Sequence, residues 1–173
     1  MQGWAEAEFA DRDLLAPCGL YCGTCGVYLA TRNGDAKFKA LLGGLYGSAP
    51  EATECRGCMQ AEPPQLLYGY CRVCPIRDCV RERGFYSCHQ CGDWPCVLIA
   101  GFPLATGRRV MQRAIPLWRE RVEAEGPGAG DVAWARAECG RYHCPECGEP
   151  LFRGAQRCRA CKAPVADRLD GSL

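Results

Sequence analysis

The chain has 173 residues, 21 Lys and Arg against 20 Asp and Glu, a formal charge of +1 and 16 cysteines. That length fits one domain or two small ones and excludes a large barrel enzyme. The near-neutral charge argues against a non-specific polyanion binder, which needs a basic excess to release counterions from phosphate.

Cysteine at about 9% of a chain is a framework residue. No stretch has the apolar length of a membrane span. The start, MQGWAEAEFADRD, carries acids where a signal peptide needs basic residues and an apolar run. A cytoplasmic protein without membrane contact is therefore expected.

Residues 1–16 space Trp4, Phe9, Leu14 and Leu15 as a short helical leader that runs to Pro17. Residues 17–101 form a cysteine-rich domain with eleven thiols among Gly and Pro. Short helices are predicted there over Val27 to Ala30, Asp35 to Leu45, Ile76 to Arg83 and Cys96 to Ala100. Phe38, Leu41, Leu42 and Leu45 share one stripe of the second of these. Pro50, Pro63 and Pro64 mark the stretch from Leu45 to Cys71 as loop.

Residues 102–138 read as a helical connector. From Gly107 to Glu125, Met111, Ala114, Ile115, Trp118 and Val122 recur at helical steps, with a kink expected at Pro116. The run EGPGAG, Glu125 to Gly130, reads as a linker, and a short helix over Val132 to Ala137 follows.

Six pairs have the form C-x2-C, which puts two thiolates on one tight turn where they converge on a tetrahedral metal. Disulfides are disfavoured in a chain without an export signal. A thioredoxin-like redox role needs a βαβ setting that six loop copies do not offer. Residues 139–173 hold the clearest set: Cys144, Cys147, Cys158 and Cys161, a four-thiolate zinc ribbon with ten residues between its pairs. Gly148 suits a positive φ after the second thiolate, and PLFRGAQR suggests a hairpin with Gly154 at its tip. Iron in the same four-sulfur geometry is the competing metal.

The eleven earlier thiols divide as three, four and four. The groups are Cys18, Cys22 and Cys25; Cys55, Cys58, Cys71 and Cys74; and Cys79, Cys88, Cys91 and Cys96. A cross-braced sharing of the same residues stays open. The first group lacks a fourth ligand, for which His89, Asp35 and Asp93 are candidates. Its C-x3-C-x2-C spacing also matches the iron-sulfur site of radical S-adenosylmethionine enzymes. Against that, the chain lacks the repeated strand-helix pattern and length of a barrel.

The segments CGLYCGTC, CRGC, CPIRDC and ERGFYSCHQCGDWPC, with the closing YHCPECG and CRAC, resemble a family of small cysteine-rich proteins catalogued as a domain of unknown function. The resemblance covers roughly residues 16–101, and some relatives continue into a helical stretch and a zinc ribbon. It implies a metal-binding protein, with zinc as the expected metal and no assigned activity.

Cys139 has no C-x2-C partner and reads as a small buried hydrophobe, and His143 borders a ribbon already supplied with four thiols. Trp94 and Trp118 read as core aromatics over the metal knots. The expected architecture is an irregular α+β fold of short helices and loops, held by three or four zinc ions and closed by the ribbon. A non-enzymatic interaction module is the favoured function, with a protein partner first and nucleic acid, through the ribbon and the arginine-rich helix, second. The alternatives are an iron-sulfur redox or radical-type enzyme at Cys18, Cys22 and Cys25, and a metal-sensing or delivery protein.

Overall fold

The computed structural model describes residues 6–60, 68–153, 155–165, 169 and 170. Along the chain run α1 (Glu6–Ala10), α2 (Gly26–Arg32), α3 (Ala36–Tyr46), α4 (Gly69–Arg72) and α5 (Pro75–Glu82). Next come α6 (Val97–Ala100), α7 (Ala105–Glu125) and α8 (Ala129–Arg141). Single 3-10 turns, at Arg12–Leu14, Cys22–Thr24, Pro50–Ala52 and Cys88–Gln90, bend the chain between them.

The described residues hold no strand, only two isolated antiparallel bridges, His143 with Pro150 and Arg157 with Pro164. The α+β expectation gives way to a mostly helical fold with a loop-built C-terminal cysteine cluster. The reason is local: C-x2-C turns commit most of their backbone amides to sulfur and to the turn itself, so pairing stops at these two bridges. Gly154, the expected hairpin tip, lies outside the described residues, as do Trp4, Pro63 and Pro64.

α3 starts where Asp35 accepts a hydrogen bond from the Phe38 amide at 2.9 Å, satisfying one free donor of the first turn. Its apolar stripe divides. Phe38 and Leu42 are buried, whereas Leu41 and Leu45 stand 66% and 52% exposed. Sequence spacing places the four on one side of the helix, but neighbouring elements cover only part of that side.

The long helices carry the core. α7 continues through Pro116 to Glu125. α8 begins at Ala129, inside the run read as a linker, so the Gly-Pro segment is a tight turn. Contacts pair Trp118 with Asp131 and Arg113 with Glu138. As one number falls the other rises, so α7 and α8 are antiparallel. Asp131 fixes this hairpin by accepting from the Trp118 indole at 2.6 Å and from the Gly128 amide at 2.9 Å.

Trp118 and Trp134 stack with ring centroids 3.8 Å apart and planes 4° from parallel. Tyr21 meets Trp134 edge-on at 6.1 Å. Leu14, Leu15 and Tyr21 from the N-terminal part are as fully buried as the two indoles. The segment expected as a connector thus forms the platform on which the first cysteines sit. Across the hairpin, Arg113 binds the carboxylates of Glu138 and Asp170, and the Tyr142 hydroxyl donates to Asp170, which straps the chain's last described residues onto α7.

Candidate metal centres

The ribbon quartet is gathered tightly. Cys144, Cys147, Cys158 and Cys161 bring their sulfurs within 4.8 Å of one another. A tetrahedron with bonds of ~2.3 Å has edges of about 3.8 Å. Cys144 and Cys161 stand 3.7 Å apart, and Cys147 and Cys158 stand 3.6 Å apart, so the thiols are spaced to hold one metal ion.

The two turns are copies of one another. Cys144 and Cys158 donate their amides to Glu149 and Ala163, both at 2.9 Å. Gly148 and Lys162 return theirs to the Cys144 and Cys158 carbonyls at 2.8 and 3.0 Å. Both turns need a left-handed residue after the second thiol, and Gly148 supplies it at φ 71°. In the second turn Lys162 takes the same conformation at φ 64°, which its residue type alone does not announce. Burial pushes the Cys158 thiol up, yet the amides of Cys161 and Ala160 more than offset this and bring it down to about 7. An amide aimed at sulfur favours the thiolate that a metal requires.

The third sequence group surrounds one small cavity. Cys79, Cys88, Cys91 and Cys96 line about 20 Å³, closed by Trp94 and Phe85. That volume admits one water-sized occupant. Burial, followed by the nearby thiols of Cys96, Cys91 and Cys79, raises the Cys88 thiol to about 12. An Arg83 N-H lies 3.5 Å from the Cys91 sulfur and 2.7 Å from the Asp93 carboxylate. Trp94 therefore lines this cysteine cluster, whereas Trp118 belongs to the helical core.

The first and second groups are interleaved. The Cys58 thiol, and then burial, push the Cys22 thiol well up. Cys18, Cys22, Cys55 and Cys58 are all buried in the main core. Burial pushes the Cys18 and Cys71 thiols well up, with Cys58 the next contributor to each. Among the described residues, only the ribbon quartet reaches the 4.8 Å criterion, so these seven thiols are more loosely gathered.

The three candidates for a fourth ligand to the first group are engaged elsewhere. His89 is buried, its Nδ1 faces the Ser87 hydroxyl, and its ring lies 5.1 Å from that of Trp118. Asp35 caps α3 and takes the Arg159 guanidinium at 2.9 Å. Asp93 pairs with Arg83. The neighbour missed by sequence spacing is Cys58, 33 residues beyond Cys25 in number yet close enough to act on the Cys22 thiol.

Cys139 and His143 lie 4.0 Å apart, sulfur to Nδ1. Cys139 is 2% exposed, and burial raises its thiol to about 12. An activated nucleophile needs the opposite shift and access to substrate, so this pair is core packing.

Two of the ribbon's arginines, Arg153 and Arg159, turn inward. Arg153 donates to the Tyr21 carbonyl. Arg159 holds Glu149 and Asp35, both at 2.9 Å, and lies over the Phe38 ring. These bonds dock the ribbon against the turn that carries Cys22 and against α3.

A family model described as a protein of unknown function, DUF3795, matches residues 14–100, a span that holds all eleven thiols from Cys18 to Cys96. No curated protein and no solved structure matches the chain.

Proposed function

We propose a function from one premise: the chain belongs to the DUF3795 family, a set of proteins of unknown function. In this reading it is a zinc-stabilised, non-enzymatic module that presents a surface to a protein partner. The observation that carries it is the ribbon quartet, with sulfur separations of 3.6 and 3.7 Å that match a four-thiolate tetrahedron. Four thiolates leave no open position, which is the mark of a structural site. Zinc bound there supplies cross-linking and no redox chemistry.

A protein partner is favoured over nucleic acid by where charge and apolar surface lie. Arg113, Arg153 and Arg159 are committed to bonds within the chain. Leu41, Leu45, Tyr70, Val73 and Val97 are 52–84% exposed on the cysteine-rich half. Exposed apolar side chains of this size suit a protein contact better than phosphate, which needs free cations.

The test has two parts. Elemental analysis of protein purified without oxygen should find zinc, no sulfide and no visible absorbance. Iron with matching sulfide would contradict the reading and favour an iron-sulfur centre at Cys18, Cys22 and Cys25. Replacing Tyr70 and Val73 with serine should preserve zinc content and thermal stability while abolishing a partner complex. A complex that survives would move the contact elsewhere.

A further inference from the structure

The ribbon touches the cysteine-rich part at both ends of one turn. Arg153 donates to the carbonyl of Tyr21, the residue before Cys22, across 132 positions of sequence. Its neighbour Phe152 lies against the residue after Cys25: a Cβ placed on Gly26 would fall 3.5 Å from the Phe152 Cβ and 3.3 Å from Leu42. Two consecutive ribbon residues thus bracket the turn from Cys22 to Cys25. In this arrangement Cys22 is buried and Cys25 is half-buried.

Tyr21 is held from two directions. Its ring meets Trp134 of the helical hairpin edge-on at 6.1 Å. Its carbonyl accepts from the Thr24 amide at 3.3 Å, from the Thr24 hydroxyl at 3.0 Å and from the Arg153 guanidinium. The ring contact belongs to the main core and only the last of the carbonyl contacts to the ribbon. Undocking the ribbon therefore loosens the turn without releasing Tyr21 from the core.

The remaining docking contacts are slight. The Phe152 and Phe38 rings stand 5.5 Å apart, and Arg159 lies 4.9 Å over the Phe38 ring. Arg159 also joins Asp35 to Glu149, but all three of these side chains are 29–33% exposed, where ion pairs contribute little. The Arg153 Nε-H is buried without an acceptor, which offsets part of what its bond to Tyr21 contributes. Contacts this few hold only when Phe152, Arg153 and Arg159 are already in place, because ordering them at the moment of contact costs too much. The ribbon's own core is too small to place them. Among the described residues its buried apolar set is Cys144, Leu151, Ala155 and Cys158, two of which are thiols of the quartet. Their order therefore follows the ion that the quartet holds. That ion is within reach of solvent, since Cys147 and Cys161 are exposed.

We propose that the ribbon is a metal-operated cap on the Cys22–Cys25 turn. With its ion bound, the ribbon holds Arg153 on the Tyr21 carbonyl and Phe152 against Gly26. When the ion leaves through the exposed side, the cap undocks and the Cys22 and Cys25 thiols become reachable from solvent. Occupancy of the ribbon by a divalent cation is thereby relayed to the cysteine-rich part. The cap rests on the zinc-ribbon reading above and adds what that ion controls.

The test is amide hydrogen exchange of the full zinc-loaded chain, paired with iodoacetamide labelling of its thiols. Cys161→Ser should empty the ribbon and raise exchange over residues 22–29 and labelling at Cys25 about tenfold, the ratio that loss of one such hydrogen bond gives. α7 and α8 should keep their protection. Arg153→Ala removes no thiol and should open the same turn with zinc content unchanged. A Cys161→Ser protein that has lost one zinc ion but shows unchanged exchange and labelling overturns the proposal, as does an Arg153→Ala protein whose turn stays closed. If Cys161→Ser unfolds α7 and α8 as well, Arg153→Ala decides alone. Zinc content unaltered by Cys161→Ser would instead contradict the zinc-ribbon reading, and the cap would fall with it.

Discussion

The hairpin of α7 and α8 and the cysteine-rich part from Cys18 to Cys96 are held by different forces. In the hairpin, Val110, Met111, Ala114, Ile115 and Trp118 have no exposed surface, and Trp118 lies flat on Trp134. Hydrophobic burial, the Trp118–Asp131 bond and the Arg113–Glu138 ion pair pack two long helices. In the cysteine-rich part the helices run from four to eleven residues, too short to persist without external support, and thiols occupy core positions. That part shares one apolar core with the hairpin through Phe38, Leu42, Ile76 and Val80, and on the proposed reading the metals its thiols hold supply the rest of its support. The ribbon shows the same dependence in its smallest form: four side chains, two bridges and one cluster of sulfurs.

The sharpest way to break this comparison is to remove metal. A strong chelator should melt the cysteine-rich part and the ribbon while leaving helical protection on α7 and α8. The loss at each structural zinc is on the order of 10 kcal/mol. Amide hydrogen exchange reads the two parts separately, and equal protection before and after chelation would erase the distinction. Trp118→Ala attacks the other side. It should cost about 3–5 kcal/mol by denaturant unfolding, with no change in metal content.

Asp170→Asn should cost less, about 1–2 kcal/mol, because Arg113 keeps contact with solvent and with Glu138. Burial pushes the Asp170 carboxyl up, but the Tyr142 hydroxyl and Arg113 more than offset it, and its pKa falls below the usual carboxylate range. A group depressed on folding stabilises above its unfolded value and loses that contribution as pH falls through its folded one. The gap between Asp170→Asn and the unaltered chain should therefore be full at neutral pH and close in acid. A gap that persists in strong acid would mean that Asp170 acts by packing. The smallest effect belongs to Cys139→Ala, at about 1 kcal/mol or less with every metal retained. Loss of a metal ion on that substitution would make Cys139 a ligand.

The ribbon was legible because its ligands are local: C-x2-C, ten residues, C-x2-C fixes both turns and their meeting. The helices at α3, α5 and α7 were legible from periodicity, to within a few residues at their ends. Three features were not. The Gly-Pro run before Asp131 reads as a linker until Asp131 is seen bonding both Gly128 and Trp118. The second ribbon turn takes Lys162 where the first takes glycine, so residue type hides the repeat. Cys58 acts on the Cys22 thiol across the fold, and proximity between two C-x2-C turns leaves no trace in the spacing of either.

The measurement that tests the central claim most directly is the zinc, iron and sulfide content of the full chain purified without oxygen, read beside its visible spectrum. The account predicts three or four zinc ions per chain, one of them in the ribbon, with a colourless solution. Iron with equivalent sulfide, or a folded cysteine-rich part that holds no metal, would contradict it.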